Sequence, residues 1–137
     1  MREIKFEFAG QQSDGKWILS RPFTLNEIGI GWVQQFVASS NPPVHFDKLI
    51  ARQFTGLKDK NGKEIYESDL CHYEDNETLI KVRWSDIQAR FILDALKGDN
   101  WLDGFYNFNE VVAQDLTVIG NCYENPKLLK SRTEPKL

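Results

Sequence analysis

Residues 53–69 read Gln53-Phe54-Thr55-Gly56-Leu57-Lys58-Asp59-Lys60-Asn61-Gly62-Lys63-Glu64-Ile65-Tyr66-Glu67-Ser68-Asp69, and this stretch decides the fold of the chain. Asn61 and Gly62 adopt positive φ at little steric cost, so the pair predicts a two-residue hairpin turn. Apolar residues on both sides of it, among them Ile65, are typical of short half-buried strands. A second turn follows, and the Asp69 carboxylate at its end is placed to accept backbone N–H bonds. The stretch therefore predicts strand, turn, strand and turn.

The chain beyond this stretch continues as short apolar segments separated by polar turns. The predicted strands cover residues 70–73, 78–84, 87–93 and 116–119. Consecutive short strands joined by tight turns predict an antiparallel meander. A final helical turn is expected at Asn125-Pro126, because proline is preorganised for the first position of a helix.

The N-terminal third predicts a hairpin followed by a short helix. Its opening alternates apolar and charged residues, as in a half-buried strand, and residues 16–19 are the expected hairpin partner. Thr24 and Glu27 have the spacing of a capping box, which predicts a helix from Leu25. The next strand is expected to begin near Lys48.

Cysteine usage and hydropathy bear on the compartment. Two cysteines, Cys71 and Cys122, are too few for a disulfide framework in 137 residues, which favours a reducing compartment. The N-terminus lacks the apolar core of a signal peptide. Residues 28–46 carry no Asp, Glu, Lys or Arg, but polar residues and prolines interrupt them, and a bilayer span needs about 20 apolar residues. We therefore expect a cytoplasmic protein without a membrane partner.

The charge distribution argues against non-specific nucleic-acid binding. The formal net charge is −3, and residues 64–77 contain six acidic residues and no Lys or Arg. Most of such a surface would repel phosphate groups. A nucleic-acid partner would have to use the lysines around the hairpin turn and the basic tail. The candidate phosphate contacts are Lys58, Lys60, Lys63, Lys127, Lys130 and Arg132.

No grouping of residues predicts catalysis, a metal ion or a cofactor. Cys71, Cys122, His45 and His72 are the possible zinc ligands, yet none of them has the paired spacing of a zinc site. Cys71 and His72 are neighbours on a predicted strand, so their side chains point to opposite faces and do not form a dyad. We expect no enzyme activity.

The acidic residues around the two turns are a further candidate site, for Mg²⁺ or for a general acid and base. Scattered carboxylates of this kind are more often a solvated rim, which is the interpretation we favour. Asp69 is the exception, because its expected role is to stabilise a loop. The set comprises Glu64, Glu67, Asp69, Glu74, Asp75 and Glu77.

Aromatic residues are the candidate interaction surface. Trp32 and Phe36 lie in the charge-free region 28–46, and Tyr106 and Phe108 share one face of a predicted strand. Exposed aromatic residues of this kind serve as protein hot spots or stacking platforms. Trp101 and Phe105 are instead expected in the core, since a domain of this size buries most of its large aromatic residues.

Three separated motifs give the chain a resemblance to the YopX family of bacteriophages and prophages. They are Met1-Arg2-Glu3-Ile4-Lys5-Phe6, residues 54–67, and Ile119-Gly120-Asn121 followed by Tyr123-Glu124-Asn125-Pro126. The resemblance implies a mainly β (α+β) fold, in which an antiparallel meander forms a small Src-homology-3-like barrel, with an N-terminal β-hairpin and one or two short helices. It implies a bacterial host and no established biochemical activity.

The resemblance also frames the domain organisation. We expect residues 1–137 to form a single domain with three sub-blocks: an N-terminal hairpin and linker region at 1–47, a small β-barrel at 48–126 and the basic tail at 127–137. Ser68 stands where the family usually has glycine, so the turn before Asp69 is expected to be strained or of another type. Cys71 and Cys122 stand where the family commonly has aliphatic residues, so we expect both to be small buried hydrophobic residues.

Two functions follow as expectations. The first is a non-enzymatic interaction module, a phage accessory protein that binds a protein partner or itself through exposed aromatic residues or the charge-free region 28–46. The alternative is a nucleic-acid-binding module that uses the turn at Lys58–Lys63 and the basic tail.

Overall fold

The computed structural model describes the backbone of residues 3–73, 78–97 and 105–133, and the side chains of these residues except 46, 97, 105–107 and 130–133. The chain divides into two compact units, Met1–Phe54 and Thr55–Leu137. This boundary falls somewhat after the predicted boundary between residues 47 and 48. None of the helices in the described part of the chain combines the length and hydrophobicity that a membrane span requires.

The first unit is built around one antiparallel sheet. Strand β1 lies between β2 and β4, and its beginning also pairs with β3. The predicted N-terminal hairpin is thus confirmed as β1 and β2. The elements are β1 (Lys5–Gln12), β2 (Trp17–Leu19), β3 (Phe23–Thr24), α1 (Leu25–Gly29), α2 (Trp32–Ser39) and β4 (Val44–Lys58), whose last residues belong to the second unit.

The helices of the first unit begin where the local chemistry allows. Thr24 caps α1 by accepting a hydrogen bond from the Glu27 N–H, and Glu27 accepts one from the Thr24 N–H in return, so the predicted capping box is confirmed. Gly31 caps α2 with a φ of 97°, a left-handed conformation that glycine adopts without strain. Helix α2 buries Val33 and Val37, which lie one turn apart.

The second unit contains the predicted meander. Strands β6, β7, β8 and β9 are hydrogen-bonded neighbours in sequence order, and β10 returns to pair with β6 on the other side. Strand β5 pairs with β4. The elements are β5 (Glu64–Tyr66), β6 (Asp69–Tyr73), β7 (Leu79–Ser85), β8 (Arg90–Lys97), β9 (Phe105–Asn107), α3 (Glu110–Ala113), β10 (Leu116–Asn121) and α4 (Pro126–Thr133).

Both faces of this sheet carry buried apolar residues. The inner face packs a cluster of eight buried residues, Ile65, Cys71, Ile80, Val82, Phe91, Leu93, Ala113 and Leu116. Leu70 and Ile92 are also buried. Because alternate residues of a strand point to opposite faces, these two side chains lie on the other side of the sheet, where α4 contacts β8.

The predicted mainly β fold is therefore confirmed, with differences at the element ends. The described residues form four short helices, more than the one or two expected. Strand β4 begins at Val44 rather than near Lys48, because Val44 already pairs with Gln12 of β1. Strand β8 begins at Arg90, so the prediction that the strand starts at Ile87 is wrong. Ile87 instead lies in the turn after β7.

A buried carboxylate fixes a hairpin turn at the place that the sequence predicted, but the turn is not of the predicted two-residue type. Gly62 has a positive φ and Asn61 does not, and the Asp59 N–H donates to the Lys63 carbonyl (2.8 Å), so three residues form the loop. Asp59 is 3% exposed, and its Oδ1 accepts hydrogen bonds from the N–H groups of Asn61 (2.8 Å) and Lys63 (2.9 Å). Its Oδ2 accepts a third bond, from the Val118 N–H of β10 (3.0 Å). The Lys60 N–H also donates to the Leu116 carbonyl (3.1 Å). These bonds tie the hairpin to the last strand, so the strands of the second unit curl into a half-open barrel.

The second predicted turn holds Ser68 in a left-handed conformation. Its φ is 71°, a region that favours glycine, and the backbone is held there from both sides. The Ser68 N–H donates to the Val82 carbonyl (2.8 Å), and the Ser68 carbonyl accepts from the Cys122 N–H (3.1 Å). The expectation of strain at this departure from the family pattern is thus confirmed.

Replacing Asp59 by asparagine is expected to lower the free energy of unfolding by about 1–3 kcal/mol. An amide of the same shape accepts hydrogen bonds on one side only, so its NH₂ group would face a backbone N–H on the other. Urea denaturation measures the change. Asp14→Asn is the matched control, because the exposed Asp14 accepts one turn bond, from the Lys16 N–H, which asparagine can also accept. Equal losses in the two variants would contradict the role of Asp59.

Replacing Ser68 by glycine is expected to raise the free energy of unfolding by about 0.5–1 kcal/mol, because the left-handed strain outweighs the entropy that glycine adds to the unfolded chain. Ser13→Gly is the control at an exposed turn residue with ordinary negative φ, and it should be neutral or destabilising. Thermal and urea unfolding of both variants provide the comparison. A loss of stability in Ser68→Gly would show that the serine side chain, not strain, dominates.

Candidate functional site

The motif residues of the sequence lie in turns and bind the protein's own backbone. Asn61 and Gly62 lie in the exposed hairpin loop, where Gly62 has a φ of 82°. Asp69 is buried, and its Oδ2 accepts a hydrogen bond from the Tyr66 N–H (2.8 Å). Asp69 therefore stabilises the turn before it, as the sequence predicted.

The motif after β10 forms a compact hydrogen-bonded turn. The Asn121 Oδ1 accepts bonds from the N–H groups of Tyr123 (3.0 Å) and Glu124 (2.9 Å), and the Asn125 Oδ1 accepts from the Asn121 N–H (3.0 Å). The Asn121 Nδ2 donates to the Glu124 carboxylate (3.0 Å). A Cβ at Gly120 would collide with the Asn125 amide, which explains the glycine. These side chains build a turn rather than a reactive centre.

The cysteines and histidines are distributed as the strand alternation predicts. Cys71 is fully buried in the inner core, and burial raises the pKa of its thiol far above the ordinary value. Cys122 is half-buried, so the expectation of a buried residue is met only by Cys71. His72 lies on the other face of β6, where its Nδ1 contacts the Thr78 carbonyl (3.2 Å). That contact requires the proton on Nδ1.

His72 borders a groove of about 510 Å³ on the outer side of the second unit. Its walls come from the end of β10 and the beginning of α4, and they combine apolar side chains with one acidic and one basic residue. The lining residues are His72, Ile119, Glu124, Asn125, Pro126, Lys127 and Leu128. The groove has the volume of a small-ligand site. Lys127 is the only predicted phosphate contact among its lining residues.

The acidic residues do not converge on a site in the described chain. Glu64 accepts a hydrogen bond from the Tyr66 hydroxyl (3.1 Å), Glu67 is half-buried, and Asp69 holds its turn. Glu74, Asp75 and Glu77 lie outside the described residues. Among the residues that are described, no three His, Cys, Asp or Glu side chains are grouped as metal ligands.

Three exposed apolar side chains lie instead in the segment from the start of α1 to the start of α2. Leu25 is 55% exposed, Ile30 is 65% exposed and Trp32 is 40% exposed. We call these three residues the α1–α2 surface. The sequence predicts a surface role for Trp32 as an aromatic residue of a charge-free region, but it carries no comparable signal for Leu25 and Ile30, because apolar residues at a helix start are as often buried as exposed.

Arg21 supports the α1–α2 surface from the preceding loop. Its guanidinium lies 4.2 Å from the centre of the Phe23 ring and 5.8 Å from that of Trp32, and it pairs with the Glu27 carboxylate (3.0 Å). The backbone bond from Thr24 and the bond to Arg21 both lower the pKa of Glu27. Glu27 therefore stays ionised and anchors the arginine beside the indole.

The other predicted surface residues differ in exposure. Phe36 lies one helical turn after Trp32 and is half-buried. Phe108 is also half-buried and packs against the inner core of the second unit. Tyr106 and Phe105 belong to β9, but their side chains, like Trp101, lie outside those that the structure describes.

The predicted phosphate contacts remain exposed where they are described. Lys58, Lys60 and Lys63 surround the hairpin turn, and Lys127 lies in the first turn of α4. Lys130 and Arg132 are in the same helix, but their side chains lie outside the described set. The described candidate phosphate contacts therefore belong to two separate segments, the hairpin turn and the start of α4.

Comparison with known proteins gives a family and a fold. A family model described as YopX protein matches residues 12–130. The crystal structure of protein EF1440 from Enterococcus faecalis is similar to this chain, with a TM-score of 0.53 and 21% sequence identity. The similarity covers 94% of this chain and 99% of that one, and at this identity it shows the fold alone. No curated protein matches the chain.

The burial of Cys71 predicts selective alkylation. At pH 7–9 iodoacetamide should modify Cys122 and leave Cys71 intact, because the raised pKa keeps the Cys71 thiol protonated and packing excludes the reagent. Peptide mapping by mass spectrometry distinguishes the two sites, and both should react in denaturant. Equal rates at the two sites in the native protein would show that Cys71 is accessible.

Proposed function

This chain belongs to the YopX family, and we propose that it acts as a non-enzymatic interaction module that binds a protein partner. In this proposal it is an accessory protein of a phage or prophage and works in the cytoplasm of the bacterial host. The α1–α2 surface makes the contact. The observation that carries the proposal is the exposure of Leu25, Ile30 and Trp32 within a stretch that has few charges.

The polar residues of the family motifs support a role without catalysis. Four of these polar side chains accept hydrogen bonds from backbone N–H groups of their own chain. They are Asp59, Asp69, Asn121 and Asn125. A catalytic acid, base or nucleophile needs a group that can reach a substrate. The motifs by which the family is recognised therefore account for the fold, and the surface is left to carry function.

The chemistry of the α1–α2 surface favours a protein as the partner. Tryptophan and arginine are the residue types most enriched at protein hot spots, and Trp32 and Arg21 lie side by side here. The ion pair between Arg21 and Glu27 holds the guanidinium before any partner arrives, which lowers the entropy cost of binding. An apolar patch with a tryptophan next to a fixed cation fits an apolar or aromatic side chain of the partner.

A nucleic-acid partner is the second candidate, and the exposure of Lys58, Lys60 and Lys63 around a rigid turn favours it. Such binding would depend on phosphate contacts and would weaken steeply with added salt. The net charge of −3 opposes it over most of the surface. Fluorescence anisotropy with labelled duplex and single-stranded DNA at low and high salt separates this candidate from the first.

Replacing Trp32 by serine is expected to reduce capture of the partner at least about tenfold, because hot-spot truncations typically cost about 2 kcal/mol or more. Tagged wild-type and variant proteins are used as baits in phage-infected bacterial lysate, and the captured proteins are quantified by mass spectrometry. Val111→Ser is the control, since Val111 is an exposed apolar residue of α3. The α1–α2 surface is excluded as the interface when both variants recover the same proteins in the same amounts.

A further inference from the structure

The turn between β7 and β8 departs from ordinary turn chemistry at two positions. Ile87 is 98% exposed, where turns usually carry polar residues or glycine. Ala89 has a φ of 53°, a left-handed conformation that glycine or asparagine adopts at lower cost. The turn is nevertheless ordered by its own bond, from the Gln88 N–H to the Ser85 hydroxyl (3.1 Å). A fully exposed isoleucine is therefore displayed on a defined support.

A recess of about 330 Å³ lies beside this isoleucine. Trp84 and Ile87 itself contribute its exposed apolar lining, Ile92 adds only a buried contact, and Arg83, Asp86 and Gln88 contribute polar groups. Trp84 is held edge-on against Phe91, with ring centres 5.1 Å apart, across the β7–β8 pair. The recess therefore has an apolar wall whose position does not depend on a ligand.

The charged groups at the recess are also fixed. The Arg83 guanidinium donates from Nε and Nη2 to the two Asp94 oxygens, and this bond is the main cause that raises the pKa of Arg83. The arginine side chain remains 42% exposed. Asp86 has no hydrogen bond or ion pair within the described part of the chain. The charge of Asp86 also raises the pKa of Arg83, more weakly than Asp94 does, so the two groups lie near each other in one chain. The end of β7 and the turn after it thus offer an exposed anion and a partly exposed cation to a second charged group.

We propose that this turn is a self-association surface, through which two copies of the chain pair by reciprocal insertion of Ile87. Each copy supplies a protruding apolar side chain and an apolar recess next to it, so the surface is complementary to itself. A two-fold axis places each Ile87 against the recess of the other copy, and it brings each Asp86 toward the partner's Arg83. Such an isologous contact closes at two copies and does not propagate into a filament.

The proposal goes beyond the proposed function, because it concerns a different surface in the second unit. The α1–α2 surface and the β7–β8 turn can each fail alone. Since a single turn buries little area, the pair is a weak and concentration-dependent dimer rather than an obligate one. The partner is identified by charge and shape, since the basic group at the end of β7 and the acidic group of the turn that follows are both present on each copy.

Sedimentation velocity of the full chain tests the proposal, at concentrations from about 10 μM to about 1 mM, the range in which small interfaces associate. The weight-average sedimentation coefficient of the wild type should rise toward that of a dimer. Ile87→Lys should weaken the association by about a hundredfold, because the apolar contact is lost twice in a symmetric pair. The substitution leaves the fold intact, since Ile87 has no buried surface to lose.

Two further variants complete the design. Asp86→Arg should also weaken the dimer, because it sets two cations against each other, and Val111→Lys, a similar change on α3, should leave it unchanged. Unchanged thermal unfolding of all three variants confirms that they are folded. The proposal is overturned by a wild type that stays monomeric at every concentration. It is equally overturned if Ile87→Lys associates like the wild type, or if only Trp32→Ser abolishes the dimer.

Discussion

The buried carboxylate of Asp59 is the interaction on which the second unit depends. A charge that is taken out of water is costly unless hydrogen bonds replace its hydration. Asp59 obtains three N–H donors, two from the turn that it begins and one from β10. Because the donors come from both ends of the unit, the charge is satisfied only when the hairpin and the last strand meet. The hairpin turn therefore completes its hydrogen bonds only when β10 packs against it.

The same device recurs at two other turns of the described chain, before β6 and after β10. Asp69 and Asn121 each direct side-chain oxygens to nearby backbone N–H groups, and the two residues are themselves register partners across β6 and β10. The polar residues of the family motifs thus share a mechanical task. This explains why family membership establishes the fold with little information on activity.

Two surfaces of the described chain have features that lower stability or solubility and that the fold does not require. The α1–α2 surface exposes Ile30 and Trp32, and the β7–β8 turn exposes Ile87 beside a strained Ala89. Natural sequences are locally consistent with their folds except where function imposes another demand. Both exceptions lie away from the motif residues. Under the two proposals, fold and recognition use separate sets of side chains.

The amino-acid sequence by itself determined the position of the hairpin turn, the meander, the capping box at Thr24 and the final helix, because each depends on residues a few positions apart. The family resemblance added the expectation of strain at Ser68 and of burial at both cysteines, which holds for Cys71 but not for the half-buried Cys122. Tertiary structure alone decided that Asp59 would bind Val118, which is distant in sequence. It also decided that Ile87 would lie in a turn and that Arg21 would meet Trp32. An apolar residue next to a strand has the same local pattern whether the strand includes it or ends before it, and only packing against β7 and β9 settles the choice.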